Sequence, residues 1–215
     1  MMIRHLFGAL LGAVVLTGCD AGPSGEGTGL NALQGKDFRN DPRAAARVER
    51  LAQADAPSIL FKIVDRDVLG ALYLTQRRGT RSIWLSPDNS MVVLDRGVIT
   101  ATRGLGWDLM SAEVEATAQL IQNAREGRAR RVHRHLDGED RLIARSFFCE
   151  ITTRGTRQIT YGGRDVTTHL MEENCAHGDQ KFRNLYWVQS GSGTVLQSRQ
   201  WAGDGLGNLA IRHVQ

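Results

Sequence analysis

The chain has 215 residues, 41% of them hydrophobic, and its 27 Lys and Arg against 23 Asp and Glu give a formal charge of +4. Such a length supports one domain with an adequate core. The modest positive charge, carried mostly by arginine, admits acidic glycans, phospholipid head groups or lipopolysaccharide phosphates as partners, whereas the absence of any nucleic-acid motif argues against DNA or RNA.

At the amino terminus, Arg4 and His5 precede an apolar stretch from Leu6 to Leu16. It is too short to span about 30 Å of hydrocarbon, so residues 1–18 read as a cleaved export signal. The run Leu16-Thr17-Gly18-Cys19 resembles the bacterial lipobox, at which the cysteine is diacylated and becomes the new amino terminus. Cys19 is therefore expected to carry acyl chains and hold the protein on a bilayer, anchored rather than spanning. Asp20 resembles the inner-membrane retention signal of enteric bacteria, although outer-membrane placement facing the periplasm is preferred. Residues 19–37 are glycine-rich and read as a flexible tether ahead of a single domain over 38–215.

Asp41-Pro42 supplies an N-cap and a first helical position, and Ala45, Val48, Leu51 and Ala52 repeat at helical spacing until Pro57. From Ser58 the period changes to two. Strands are predicted over 59–64, 69–76, 81–85, 91–94 and 98–102, separated by turns such as Arg78-Gly79 and Arg96-Gly97. A second helix is predicted over 112–126 with Ser111 as its N-cap and Gly127 past its end. Seven more strands follow over 130–136, 142–152, 157–161, 166–172, 182–189, 195–201 and 209–214, with Gly162-Gly163 and Gly191-Ser192-Gly193 as hairpin tips. The class is mainly β: an antiparallel meander forming a large curved sheet or open barrel, with two short amphipathic helices.

With Cys19 acylated, Cys149 and Cys175 remain, and an even pair in an oxidising compartment favours a disulfide over a metal site. Gly104-Leu105-Gly106 opens a G-x-G-x-x-G pattern, yet position 109 is leucine and no parallel-sheet context surrounds it, so it reads as a turn. His133 and His135 share one face of a strand, but Arg131 shares it too, which disfavours a cation there. No metal and no cofactor are expected. The acids in Asp137-Gly138-Glu139-Asp140 first make a tight turn. Arg128, Arg130, Arg131 and Arg134 form a cationic run, which reads as solvated surface or as a contact for an anionic polymer or head group. The late aromatics, Tyr161, Phe182, Tyr186, Trp187 and Trp201, with Trp84 and Trp107 earlier, suit either a core or a row on which sugar rings stack.

Four stretches carry a wider resemblance: Thr102 to Ser111, with Arg103, Gly104, Gly106 and Asp108; His133 to Arg141, with Asp137, Gly138, Glu139 and Asp140; Asn184 to Val188, with Trp187; and Ser198 to Trp201, with Arg199. In this order they resemble the YjbF/GfcB family of bacterial lipoproteins, whose genes accompany exopolysaccharide and group 4 capsule secretion systems. The resemblance implies a β-rich, barrel-like domain on a lipid anchor, working in polysaccharide export beside an outer-membrane β-barrel or another export protein, and it implies no catalytic residues. A non-enzymatic accessory lipoprotein is thus the expected function. The alternative is a periplasmic glycan-binding or glycan-modifying enzyme, motivated by the acidic turn and the aromatics.

Overall fold

The computed structural model describes Phe38, residues 41–54 and residues 56–214. The readings for the export signal, Cys19, Asp20 and the tether fall outside these residues. Helix α1 (Pro42–Ala52) begins where expected, with Pro42 at its first position and the Asp41 carboxylate accepting from the Arg43 N–H. Its buried residues Ala44 and Leu51 pack with Phe38, Leu60, Ala210 and Val214 on the outer surface of the sheet.

Twelve strands make one antiparallel sheet: β1 (Ser58–Ile63), β2 (Val68–Arg78), β3 (Arg81–Leu85), β4 (Met91–Asp95), β5 (Val98–Arg103), β6 (Ser111–Glu113), β7 (Gly127–Leu136), β8 (Leu142–Tyr161), β9 (Arg164–His177), β10 (Gln180–Gln189), β11 (Val195–Trp201) and β12 (Asn208–His213). Their order is β5-β4-β3-β2-β1-β12-β11-β10-β9-β8-β7-β6. Each strand pairs with its sequence neighbours, the first strand pairs with the last, and the ring is incomplete only between β5 and β6. That gap is bridged locally where the Thr102 N–H donates to Leu109 O at 2.9 Å, giving a nearly closed barrel.

The interior is filled by alternate residues of each strand, among them Ile59, Phe61, Leu72, Trp84, Phe147, Met171, Tyr186 and Ile211. Strict alternation puts the turns β1–β2, β3–β4, β5–β6, β7–β8, β9–β10 and β11–β12 at one end of the barrel and the remaining connections at the other. Helix α2 (Glu115–Gln122) belongs to the second end and buries Thr117, Ala118 and Ile121. It packs on β7, β8 and β10.

Two departures from the sequence reading have local causes. Ser111 to Glu113 pair with β7 as a strand, so Ser111 is no helix cap, and Val114 precedes the helix without a capping side chain. At the other end Ala124, at φ 48°, stops the helix short of Glu126, and Gly127 starts β7. The segments expected separately at 142–152 and 157–161 form one strand, interrupted by a register shift between Thr153 and Thr156 where Gly155 takes φ 79°. Beyond that bulge the β8–β9 hairpin lies over the outer face: Ile159 packs on Leu170, Leu185 and Trp187, and Arg212 donates to Thr160 O at 2.6 Å.

Candidate functional site

The sequence placed four arginines in one strip, and the pleat of β7 separates them. Arg128 and Arg130 are exposed on the outer face, where Arg128 lies 3.8 Å from Glu150. Arg134, half-buried, pairs with Glu113. Arg131 points the other way: it is buried inside the barrel, with Nη1 2.7 Å from Glu173 Oε2. The strip of four is therefore corrected to exposed positions 128 and 130, with 134 engaged and 131 removed to the core.

Around Arg131 the interior holds a polar network. Glu173 Oε2 also accepts from Tyr186 OH at 2.8 Å and Asn184 Nδ2 at 2.7 Å, while Oε1 accepts from Thr117 of α2 at 3.2 Å. Burial together with the neighbouring carboxylate pushes the Tyr186 phenol well above its ordinary value. Gln200 crosses the interior, accepting from the Ile99 N–H at 2.9 Å and donating to Gly97 O at 2.8 Å, and so ties β11 to the otherwise one-sided strand β5. Next along β7, His133 is fully buried between Phe147, Phe182 and Trp201, with neither ring nitrogen hydrogen-bonded. Desolvation, assisted by the Arg131 cation, pushes its pKa down to about 2, so the ring is neutral. Cys149 of β8 and Cys175 of β9 are joined across directly paired positions, with Cα atoms 4.0 Å apart. Although Glu173 lies close to both sulfurs, their mutual bond leaves no thiolate for a metal.

At the end remote from α2 the barrel opens into a cleft of about 730 Å³. Three of the four sequence stretches meet there: Gly106, Trp107 and Asp108 from the first, His135, Asp137 and Asp140 from the second, and Trp201 from the last. The β11–β12 loop adds Gly203, Asp204 and Gly205, and β8 adds Ile143 and Arg145. The remaining stretch lies behind the wall, where Asn184 Oδ1 accepts from the Trp201 N–H at 2.7 Å and Trp187 is buried on the outer face.

The β5–β6 loop is held by its own polar groups. Asp108 accepts from the Gly104 N–H at 2.8 Å and from Thr102 Oγ1 at 2.8 Å, and Arg103 reaches Leu109 O and Met110 O. Gly104 and Gly106 stand at φ 75° and 101°, a conformation that a side chain disfavours, which accounts for glycine at both. From the β1–β2 turn, Arg66 donates to Leu105 O at 3.2 Å and Gly205 O at 2.6 Å, clamping two loops of the rim together. In the β7–β8 turn the Asp137 carboxylate accepts from the N–H groups of Arg141 and Glu139 and from the Arg141 guanidinium. These bonds hold Asp137 below the usual carboxylate range. Glu139 pairs with Arg141 at 3.0 Å, Asp140 takes the left-handed conformation at φ 57°, and Gly138 meets no neighbour. The turn expected here is thus formed, with the Asp137 side chain supplying its hydrogen bonds and Asp140 its left-handed residue.

Asp204 accepts from Gln180 Nε2 at 2.7 Å and pairs with Arg145 at 3.1 Å. His135 has Nδ1 3.3 Å from Asp108 O, and burial lowers its pKa. The aromatics divide cleanly. Trp84, Tyr186 and Trp187 are core, and Trp201 stacks on Phe182 with ring centroids 4.5 Å apart. Trp107 alone among the four tryptophans is largely exposed, at 61%. Arg199 is nearly buried on β11.

Comparison with known proteins bears directly on these stretches. Residues 30–214 match the family described as group 4 capsule polysaccharide lipoprotein gfcB, YjbF. The chain belongs to this family. It is 30% identical over 146 residues to the uncharacterized lipoprotein GfcB of Escherichia coli (strain K12), an alignment covering 65% of this chain and 64% of that protein. The chain thus spans somewhat less than two thirds of that relative. The crystal structure of the hypothetical lipoprotein YmcC from Escherichia coli (K12) has the same fold, with a TM-score of 0.67 at 18% identity over 82% of this chain and 97% of that one. Membership in a lipoprotein family implies anchorage to a membrane.

Proposed function

We propose that the protein is a lipid-anchored accessory factor for export or assembly of a capsule or exopolysaccharide, held through Cys19, facing the periplasm from the outer membrane, and acting by contact rather than turnover. The observation that carries this reading is the family match across residues 30–214, which takes in every described residue. The cleft's chemistry supports it. A glycan-cleaving general acid must hold its proton near neutral pH, which requires a raised pKa. Asp137 is shifted the opposite way by donors from its own turn, and Asp108 and Asp204 are engaged in bracing the rim loops. An outer-membrane β-barrel or another export protein is the partner this role calls for.

Deleting the gene and restoring it as parent or as Cys19→Ser tests the role. The parent should restore surface polysaccharide, and the soluble or unprocessed Cys19→Ser protein should not. Normal polysaccharide output in the deletion strain would remove the protein from export. Separately, shortening of the polymer or release of its substituents on incubation with the purified lipoprotein would replace contact by catalysis.

A further inference from the structure

The cleft joins an exposed aromatic platform to a set of hydrogen-bond acceptors, and Trp107 is the centre of that arrangement. A Cβ at residue 205 would lie 2.4 Å from Trp107 Cγ, so one part of the indole rests directly on the Gly205 backbone. The rest of the ring is open, with 61% of the residue exposed at the cleft mouth. An exposed tryptophan costs stabilisation that burial would give, and here its position is not left to chance. Arg66 fixes both loops that make the platform, and Asp65 occupies the space over Gly207, where a Cβ would fall 2.0 Å from its carboxylate oxygen. The apolar side chains of Leu136 and Ile143 stand exposed on the same cleft. Four carboxylates and one guanidinium line it.

We infer that this cleft binds an uncharged segment of a polysaccharide, with a pyranose ring stacked on the free face of Trp107. A pyranose presents an apolar C–H face, which an indole and aliphatic rim can cover, and a perimeter of hydroxyl donors, which carboxylates accept. Asp137 is paired with Arg141 and Asp204 with Arg145, so the negative charge of the lining rests on Asp108 and Asp140, which repels uronate, phosphate and sulfate groups brought beside them. The volume lies within the range of ordinary ligand clefts, and the braced loops lower the ordering cost of binding. This inference deepens the proposed function and rests on it only for the source of the sugar.

The experiment uses the full-length lipoprotein in detergent micelles. The probes are maltohexaose, chitohexaose, hexagalacturonate, an oligolysine, and partially hydrolysed surface polysaccharide from cells that make the protein. Binding is followed by tryptophan fluorescence and calorimetry. At least one neutral saccharide or the hydrolysate should bind saturably and more tightly than hexagalacturonate. Trp107→Ala should weaken that binding about tenfold, and Trp107→Tyr should recover part of the loss. Gly205→Ala should weaken it as well, because its methyl displaces the indole without removing it. Phe148→Ala, which changes an exposed aromatic on the outer face of β8, should bind like the parent. Failure of every neutral probe and the hydrolysate to bind, equal binding by Trp107→Ala, or preference for hexagalacturonate or oligolysine overturns the inference. Any of these with polysaccharide still lost on gene deletion leaves the export role standing, whereas sugar binding with normal export on deletion separates the two in the other direction.

Discussion

The two ends of the barrel use charge in opposite ways. Behind α2, Arg131 and Glu173 are wholly enclosed, and the carboxylate is met by four donors: Arg131 of β7, Asn184 and Tyr186 of β10, and Thr117 of α2. At the cleft end four carboxylates line one cavity: Asp140 and Asp204 are exposed, while Asp108 and Asp137 are half-buried and brace the turns that carry them. A buried ion must be paired and hydrogen-bonded to be tolerated, whereas an exposed one keeps its hydration and remains able to exchange water for a ligand. The closed end thus encloses its charge within the core, whereas the open end leaves the carboxylates of Asp140 and Asp204 exposed to solvent and within reach of a ligand.

The sharpest way to break that contrast is to leave one partner of the enclosed pair alone. Glu173→Ala should cost about 3–5 kcal/mol, because it strands the Arg131 cation in the core. Urea unfolding with circular dichroism measures it. A loss below about 1 kcal/mol would mean that the closed end tolerates an unpaired ion as the open end does. By contrast, Asp204→Asn at the cleft should cost little, since Asp204 is itself largely exposed and its pair with Arg145 is solvated.

Second in size is the disulfide beside that network. Closing a loop over a sequence separation of 26 should contribute about 3 kcal/mol by restricting the unfolded chain. Unfolding midpoints with and without a reductant should therefore differ, and coincidence of the two curves, with thiol labelling showing complete reduction, would place the stability of this end wholly in packing.

His133 sharpens the comparison through pH. Its folded pKa lies near 2 and its unfolded value near 6.5, so the unfolded chain binds a proton that the folded chain refuses. Stability is complete above about pH 6.5 and falls as pH drops through the window between the two values, by about 1.4 kcal/mol per unit. His133→Phe matches the surrounding Phe147, Phe182 and Trp201 and has no proton to refuse. Relative to its effect at pH 7.5, the substitution should gain about 2 kcal/mol at pH 5. Equal effects at the two pH values would show that water or a proton reaches the ring.

These features were unequally legible in the sequence. The helix opening at Asp41-Pro42, the hairpin glycines and the switch to period two at Ser58 are local signals, and each produced the element expected. Twelve strands were expected and the described residues form twelve, with one exchange. The 142–152 and 157–161 segments merged, since Gly155 marks a bulge rather than a break, and Ser111 to Glu113 became a strand because pairing with the free edge of β7 overrides the helix propensity of Ala112 and Glu113. Arg131 was misplaced by composition: four arginines in seven residues look like one surface, though a period of two had to send position 131 to the face opposite 128, 130 and 134. The cleft was hidden for a different reason. Its walls come from loops nearly a hundred residues apart, and nothing local marks Trp107 as exposed while Trp84, Tyr186 and Trp187 are core.

The smallest expected change in stability is on the outer face of the same strand. Arg128 and Arg130 are exposed beside Phe148, itself 73% exposed, and the only described carboxylate paired with either is Glu150, at 3.8 Å from Arg128. Reversing both charges, Arg128→Glu with Arg130→Glu, should shift folding by less than about 0.5 kcal/mol, because such a pair is screened and both side chains are solvated. The same double variant tests the outer face for an anionic partner. If that face contacts acidic polymer or head groups, surface polysaccharide should fall while anchoring and melting temperature hold, and any direct binding should weaken as salt shortens the screening length from about 10 Å at 0.1 M. Unchanged polysaccharide output in a stably expressed double variant would make these arginines a solvated surface. The comparison would then run between a structural core and a single functional end.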